Sequence, residues 1–155
     1  MMKIEFKVLQ TQDINQMLEV LITEVVKEYA LQKTIAILAP AGIAKQLDDK
    51  LWQDGQDSFI PHHCAINARE YNQYNNIPIL ITDNLFITSG YDVLINIMDV
   101  AVDPQRVKVK ELKEFVYQQD SALQASRKKY VYYKKSNLEI ITVQDNYPYD
   151  VPDYA

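Results

Sequence analysis

Two segments carry residue types that could do chemistry. His62-His63-Cys64 gathers both His residues and the one Cys of the chain. In an extended segment, adjacent side chains point to opposite faces, so the three would not all reach one ion. A zinc site here would need carboxylates to complete it. A Cys–His pair of sequence neighbours is also poorly placed for proton transfer. The expectation is a loop in which one His and Cys64 pack inward, with no metal. The second segment lies near the C-terminus. On a helix, Leu123, Arg127, Tyr130 and Lys134 fall on one stripe, spaced by four, three and four residues. That face suits an acidic peptide with a hydrophobic end. The guanidinium can fork onto a carboxylate while the ring and Leu123 meet an apolar side chain. The competing reading is an amphipathic helix whose basic side chains lie along its own surface.

Other chemistries lack their residues. Phosphate-binding loops need glycines where a strand meets a helix, so that the backbone can approach the phosphate. Gly42 stands alone after Ala39-Pro40-Ala41, and neither GxGxxG nor GxxxxGKS/T occurs. The nucleophile elbow GxSxG is absent as well. No cofactor and no catalytic constellation are expected. Trp52 and Phe59 bracket a polar loop, Gln53 to Ser58. One such aromatic is by default core; two flanking a short loop can anchor a protein partner.

The elements that must position these residues alternate strand and helix. Ile4 to Leu9 alternates as a first strand, and Thr11 is expected to cap the helix that follows. Ile14, Met17, Leu18, Leu21, Ile22, Val25 and Tyr29 recur at spacings of three and four, one broad apolar face. Thr34 to Ala39 is almost wholly apolar, as in a parallel strand covered on both faces. Pro40 ends it, and Ile43, Leu47 and Leu51 continue as a second helix. Residues 53–77 read as loop. Strands are expected at Pro78–Thr82, Val93–Ile97 and Glu114–Tyr117. A last helix from Ala122 to about Lys135 is capped by Asp120 or Ser121. Residues 138–143 are a final edge strand or a packed tail. The β-α-β-α opening implies right-handed crossovers and a mostly parallel sheet. The fold class is α/β: a single three-layer α/β/α Rossmann-like domain.

Composition bounds the rest. The chain has 155 residues, net charge −5 and 48% hydrophobic residues, about one domain. No apolar run is long enough to span a membrane. The single Cys excludes an internal disulfide and fits a reducing compartment. The last nine residues, Tyr147 to Ala155, read YPYDVPDYA, the influenza haemagglutinin epitope. They are set apart as an appended tag, expected to be mobile, leaving residues 1–146 as the domain. Charge is asymmetric: residues 1–103 carry a net −7, residues 104–135 a net +6 and residues 136–155 a net −4. A basic segment on an acidic protein points to an anionic partner, or to a solvated Lys-rich helix face. The acidic remainder argues against a general duplex-DNA binder.

Trp52, then Ser58-Phe59-Ile60-Pro61-His62, then Asp92-Val93-Leu94-Ile95-Asn96, then Phe115-Val116, Asp120-Ser121, Arg127 and Tyr130 occur in a telling order and spacing. The pattern resembles the chi subunit family of bacterial DNA polymerase III, from the first strand to about residue 135. The resemblance implies a non-catalytic accessory subunit in the cytoplasm, with a Rossmann-like fold and no nucleotide chemistry. It implies pairing with the small psi subunit of the clamp loader. It also implies binding to the acidic C-terminal tail of single-stranded DNA-binding protein, which ends in Pro-Phe. Some members bind a repair helicase through the psi-type surface. By position, Val116, Arg127 and Tyr130 match the family's tail pocket. Two departures stand out: Leu123 and Val131 replace family lysines, so Lys128, Lys134 or Lys135 must supply the charge. Trp52, Phe59, Ile60, Pro61 and His62 match the psi or helicase surface. Two other readings compete. One is a small Rossmann-like enzyme acting on an anionic metabolite, although fold alone does not carry function. The other is direct single-stranded nucleic-acid binding, with Tyr130, Tyr132 and Tyr133 stacking on bases; it is expected to be weak or absent.

Overall fold

The computed structural model describes residues 2–54, 60–71 and 77–145. Phe59 and the epitope lie outside the described residues. The elements, in chain order, are β1 (Lys3–Leu9), α1 (Ile14–Ala30), β2 (Ile35–Leu38), α2 (Ala41–Asp54), β3 (His62–Ala65), α3 (Ala68–Tyr71), β4 (Ile79–Thr82), a 3-10 turn (Leu85–Thr88), β5 (Val93–Asn96), β6 (Glu111–Val116), α4 (Asp120–Lys135) and β7 (Glu139–Asp145). The strands form one sheet in the order β3-β4-β2-β5-β6-β1-β7. Every pairing in it is parallel, where a mostly parallel sheet was expected.

The central strands read IAIL, ILIT and VLIN and are buried at every position. Alternation divides them between two cores. Ile35, Ile37, Ile79, Ile81, Val93 and Ile95 pack with α1 and α2 on one face. Ala36, Leu38, Leu80 and Leu94 pack on the other with Phe6, Leu112, Val116 and Tyr133. Helices on both sides of a parallel sheet make a doubly wound, three-layer α/β/α domain.

Several boundaries differ from those read in the sequence, each for a local reason. Asp13, not Thr11, caps α1: its carboxylate accepts from Asn15 N at 2.9 Å, and Thr11 accepts from Asp13 N one step upstream. The segment read as loop contains β3 and α3. Among the described residues, strand β3 pairs only with β4, from His62↔Ile79 to Ala65↔Thr82. An edge strand needs no continuous apolar run, so His62 and His63 gave no strand signal. Strand β6 begins at Glu111, three residues earlier than expected. Its Lys113 and Glu114 read as surface residues but are 4% and 1% exposed. The α1 carboxylates receive Lys113: its Nζ lies 2.6 Å from Glu24 and 3.0 Å from Glu28.

Helix α4 starts at Asp120 with Gln119 at the cap position and no side-chain cap bond. At its far end Asn137 takes the left-handed conformation, φ 57°, which Asn adopts more readily than most residues. That turn sends the chain back along β1 as β7, in register from Lys3↔Glu139 to Leu9↔Asp145. Of the two fates considered for residues 138–143, the edge strand is the one observed.

Candidate peptide-binding site

The turn into β7 leaves a groove between α4 and the sheet. Phe6 and Val8 of β1, Val116 of β6, Thr142 of β7, and Leu123, Ser126, Arg127 and Tyr130 of α4 line about 230 Å³, almost wholly with apolar atoms. Tyr130 meets Phe6 edge to face, centroids 5.6 Å apart, which fixes the ring as one wall. The Lys134 ammonium sits 5.9 Å from the Tyr130 ring centroid, within cation–π range. Arg127 stands exposed at the mouth. Among the described residues, Arg127, Lys128, Lys134 and Lys135 make no ion pair.

The inner face of α4 explains why the outer face points where it does. Lys129 Nζ lies 2.8 Å from Glu114 Oε1. The Tyr133 hydroxyl donates to Glu114 Oε2 at 2.7 Å, and Asn96 Nδ2 donates to the same oxygen at 2.8 Å. Val102 N donates to the Tyr133 oxygen at 3.0 Å. Burial pushes the Glu114 carboxyl above its ordinary range, opposed by Lys129 and by the two further donors. Burial and the neighbouring Glu114 push the Tyr133 phenol up as well. Lys129 and Lys113 therefore add nothing to the surface charge that the sequence suggested. The outward cations of α4 are Arg127, Lys128, Lys134 and Lys135.

The structure thus brings Val116, Leu123, Arg127 and Tyr130 to one groove, with Lys134 over its aromatic wall. Lys128 and Val131 are exposed on α4 beyond the lining. Phe6, Val8, Ser126 and Thr142 were not foreseen. The signal for Phe6 and Val8 was the alternation of β1 and that for Ser126 the helical spacing from Leu123, but it takes the β1–β7 register to bring Thr142 beside α4.

The second set is less continuous. Trp52 is 54% exposed on α2, its ring 4.7 Å from that of His62. The His62 side chain is 1% exposed, with Nε2 3.0 Å from Asp48 Oδ1. Its Nδ1 lies 2.8 Å from the Ile60 carbonyl, which can only accept, so Nδ1 donates there. Ile60 is buried in the core and Pro61 half-buried. Trp52 and Pro61 therefore carry the described outer surface of this patch, with Ile60 and His62 beneath it.

Catalytic alternatives find little to work with. Cys64 packs against the core, and burial with nearby Asp48, Glu70 and Asp83 pushes its thiol up to about 11. A thiol so protonated at neutral pH is a poor nucleophile. Among the described residues, no three His, Cys, Asp or Glu side chains converge as metal ligands. Open parallel sheets hold ligands beyond their strand ends. Here that crevice is a cavity of about 180 Å³ lined by apolar residues such as Ile14, Met17 and Phe115 and by Asp99, Tyr117, Gln119, Ser121 and Ser126, and its buried Asn96 and Lys129 are already bonded to Glu114. No helix among the described residues is long and apolar enough to cross a membrane.

Fold and site together define an all-parallel, doubly wound α/β domain with an apolar groove that has Arg127 at its mouth and Lys134 over its aromatic wall, neither in an ion pair among the described residues. The chain belongs to a known family: the family model described as DNA polymerase III chi subunit, HolC, matches residues 1–141. The family is an accessory subunit of DNA polymerase III, which places the chain in DNA replication. No curated protein matches its sequence.

Proposed function

We propose that the groove between α4 and β7 receives the acidic C-terminal tail of single-stranded DNA-binding protein, and that the chain is a non-catalytic link. The carrying observation is the apolar groove with exposed Arg127 at its mouth and no acidic partner for it among the described residues. A terminal aromatic side chain fills the space beside Val116, Leu123 and Tyr130. The tail's carboxylates pair with Arg127, and Lys128 and Lys134 stand in for the absent lysines at Leu123 and Val131. The patch around Trp52, Pro61 and His62, with Phe59, takes the psi subunit of the clamp loader or a repair helicase. Work at the replication fork implies a cytoplasmic location.

The test is fluorescence anisotropy with a labelled acidic peptide ending in Pro-Phe and the same peptide lacking Phe, at two salt concentrations. Phe-dependent binding that is lost in Arg127→Ala supports the reading. Equal binding of both peptides, or affinity unchanged in Arg127→Ala, overturns it. An oligonucleotide that binds with steep salt dependence while the peptide does not would favour direct nucleic-acid binding instead.

A further inference from the structure

We infer that the outer flank of α4, from Lys128 to the cleft at the helix's C-terminal end, holds a single strand of DNA by one stacked base and its phosphates. This flank is separate from the tail groove. At about 100° per residue, Lys135 lies about 20° behind Lys128 around the helix axis and Tyr132 about 40° ahead of it. Tyr130, which walls the groove, lies about 160° around the axis from Tyr132. Tyr132 is 42% exposed. Lys128 and Lys135 are exposed as well, and neither is in an ion pair among the described residues.

The flank ends in an open cleft of about 650 Å³ between α4 and residues 103–105. Tyr132, Leu138 and Pro104 give it apolar walls, and Gln105 and Ser136 bring an amide and a hydroxyl to it. Its two sides are tied together. Val102 N donates to the Tyr133 hydroxyl oxygen at 3.0 Å, and the Tyr133 ring meets Tyr132 edge to face, centroids 5.9 Å apart. The Tyr132 ring is therefore supported before any ligand arrives, which lowers the ordering cost of binding. Asp103, the acid of the lining, accepts from Gln105 N at 3.0 Å and lies 3.5 Å from Arg106 Nε.

Electrostatics select the occupant. The C-terminal end of a helix disfavours an anion, and Asp103 acts in the same sense. The cleft itself thus suits a flat, uncharged group with a polar edge. The cations stand beside it, at Lys135 and, about 10.5 Å further up the axis, at Lys128. A nucleic-acid strand has this arrangement, neutral bases joined by anionic phosphates. An acidic peptide would instead carry its charge into the cleft on its side chains. A duplex hides its base faces and brings dense charge against a chain of net charge −5. Aromatic stacking with cations along the backbone is a general means of holding single strands. The family's place in DNA replication makes the strand DNA. One ring and two lysines form a weak site alone. Its effect grows where another contact already holds the chain near a strand, because tethering raises effective concentration.

Fluorescence anisotropy at low salt on the full chain tests this. The probes are a labelled oligothymidylate of about twelve nucleotides, the same strand with abasic sites, and a duplex of equal length. The thymidine strand should bind about tenfold tighter than either of the others. Tyr132→Ala should cost about the same tenfold and Tyr132→Phe should not. Neither should change the affinity for an acidic peptide ending in Pro-Phe. Lys128→Ala combined with Lys135→Ala should lower the salt slope of oligonucleotide binding by about 1.4, as two phosphate contacts are removed. All three positions are exposed, and circular dichroism checks the fold. No binding of the thymidine strand, equal affinity for the thymidine and abasic strands, or affinity unchanged in Tyr132→Ala would each overturn the site. Binding that the peptide displaces and Arg127→Ala abolishes would put the strand in the groove and overturn it too. Tail binding is read from the peptide alone, so either proposal can fail without the other.

Discussion

The Tyr133 hydroxyl donates to the Glu114 carboxylate at 2.7 Å, beneath the same helix that carries Arg127 on its outer side. Tyr133 also meets the Phe6 ring at 6.0 Å, and Phe6 in turn backs Tyr130 in the groove. A buried acid on β6 is thereby tied, through two aromatic contacts, to the wall of the candidate site.

That acid makes α4 sensitive to its partner. Lys129→Met would leave Glu114 buried with only Tyr133 and Asn96 as donors. Breaking one side of a buried pair costs about 3–5 kcal/mol, because the remaining charge is uncompensated. Replacing both groups, as Lys129→Met with Glu114→Leu, should cost clearly less than the sum of the single changes. Urea denaturation of the four proteins measures the coupling, and simple additivity would show that the pair does not act as a unit.

The groove residues should separate binding from stability. Arg127 is exposed and unpaired among the described residues, so Arg127→Ala should leave stability within about 0.5 kcal/mol. Its effect on affinity for an acidic peptide ending in Pro-Phe should be tenfold or more, about 1.4 kcal/mol. Tyr130→Phe keeps the ring against Phe6 and should keep that affinity, whereas Tyr130→Ala should lose it. Leu123→Lys adds a cation at the groove and should steepen the salt dependence of binding. Anisotropy across a salt series, beside thermal melts, reads all four variants.

Acid should unfold the chain partly through α1. Glu24 accepts from Lys113 at 2.6 Å and from Lys7 at 2.8 Å. Against the opposing effect of burial, these two cations hold its carboxyl near 2, below the ordinary 4.5. Glu28, facing Lys113 and Lys33, is lowered in the same sense. A carboxyl lowered by folding contributes stability that is present above its unfolded value. That contribution is lost as the pH falls from about 4.5 toward about 2. Glu114 acts in the opposite direction, since its carboxyl is raised on folding. Melting temperature followed from pH 6 to pH 2.5 should therefore fall, and fall less steeply in Glu24→Gln. Equal slopes in both proteins would show that the Lys113–Glu24 contact does not govern acid stability.

The parts of this molecule legible in sequence are those buried by apolar contact alone. Ile35 to Leu38 and Val93 to Asn96 are covered on both faces, so an apolar run announces them. Lys113 and Glu114 hide the start of β6, because a sequence cannot show that each charge has a partner on a different helix. Among the described residues, His62 to Ala65 pairs on one side only, and it carries polar groups, so its alternation gave no strand. The stripe of α4 was legible because i and i+4 periodicity is local. The opposite wall was not: Thr142 reaches the groove only through a register with Phe6 that joins opposite ends of the chain.

The second patch yields a prediction in which two neighbouring rings behave differently. Trp52 is more than half exposed and covers His62, whereas the His62 ring is enclosed between Asp48 and the Ile60 carbonyl. Trp52→Ala removes one aromatic contact and should cost about 1 kcal/mol of stability. His62→Ala opens a cavity and strips Asp48 of its partner, so about 2–4 kcal/mol is expected. If Trp52 is a docking residue, Trp52→Ala should abolish co-purification with the psi subunit and leave peptide binding at the α4 groove unchanged. His62→Ala should weaken psi capture only as far as it loosens the segment from Ile60, and His62→Gln, which can still donate to that carbonyl, should recover part of it. Retention of psi by a folded Trp52→Ala protein would move the psi interface away from α2.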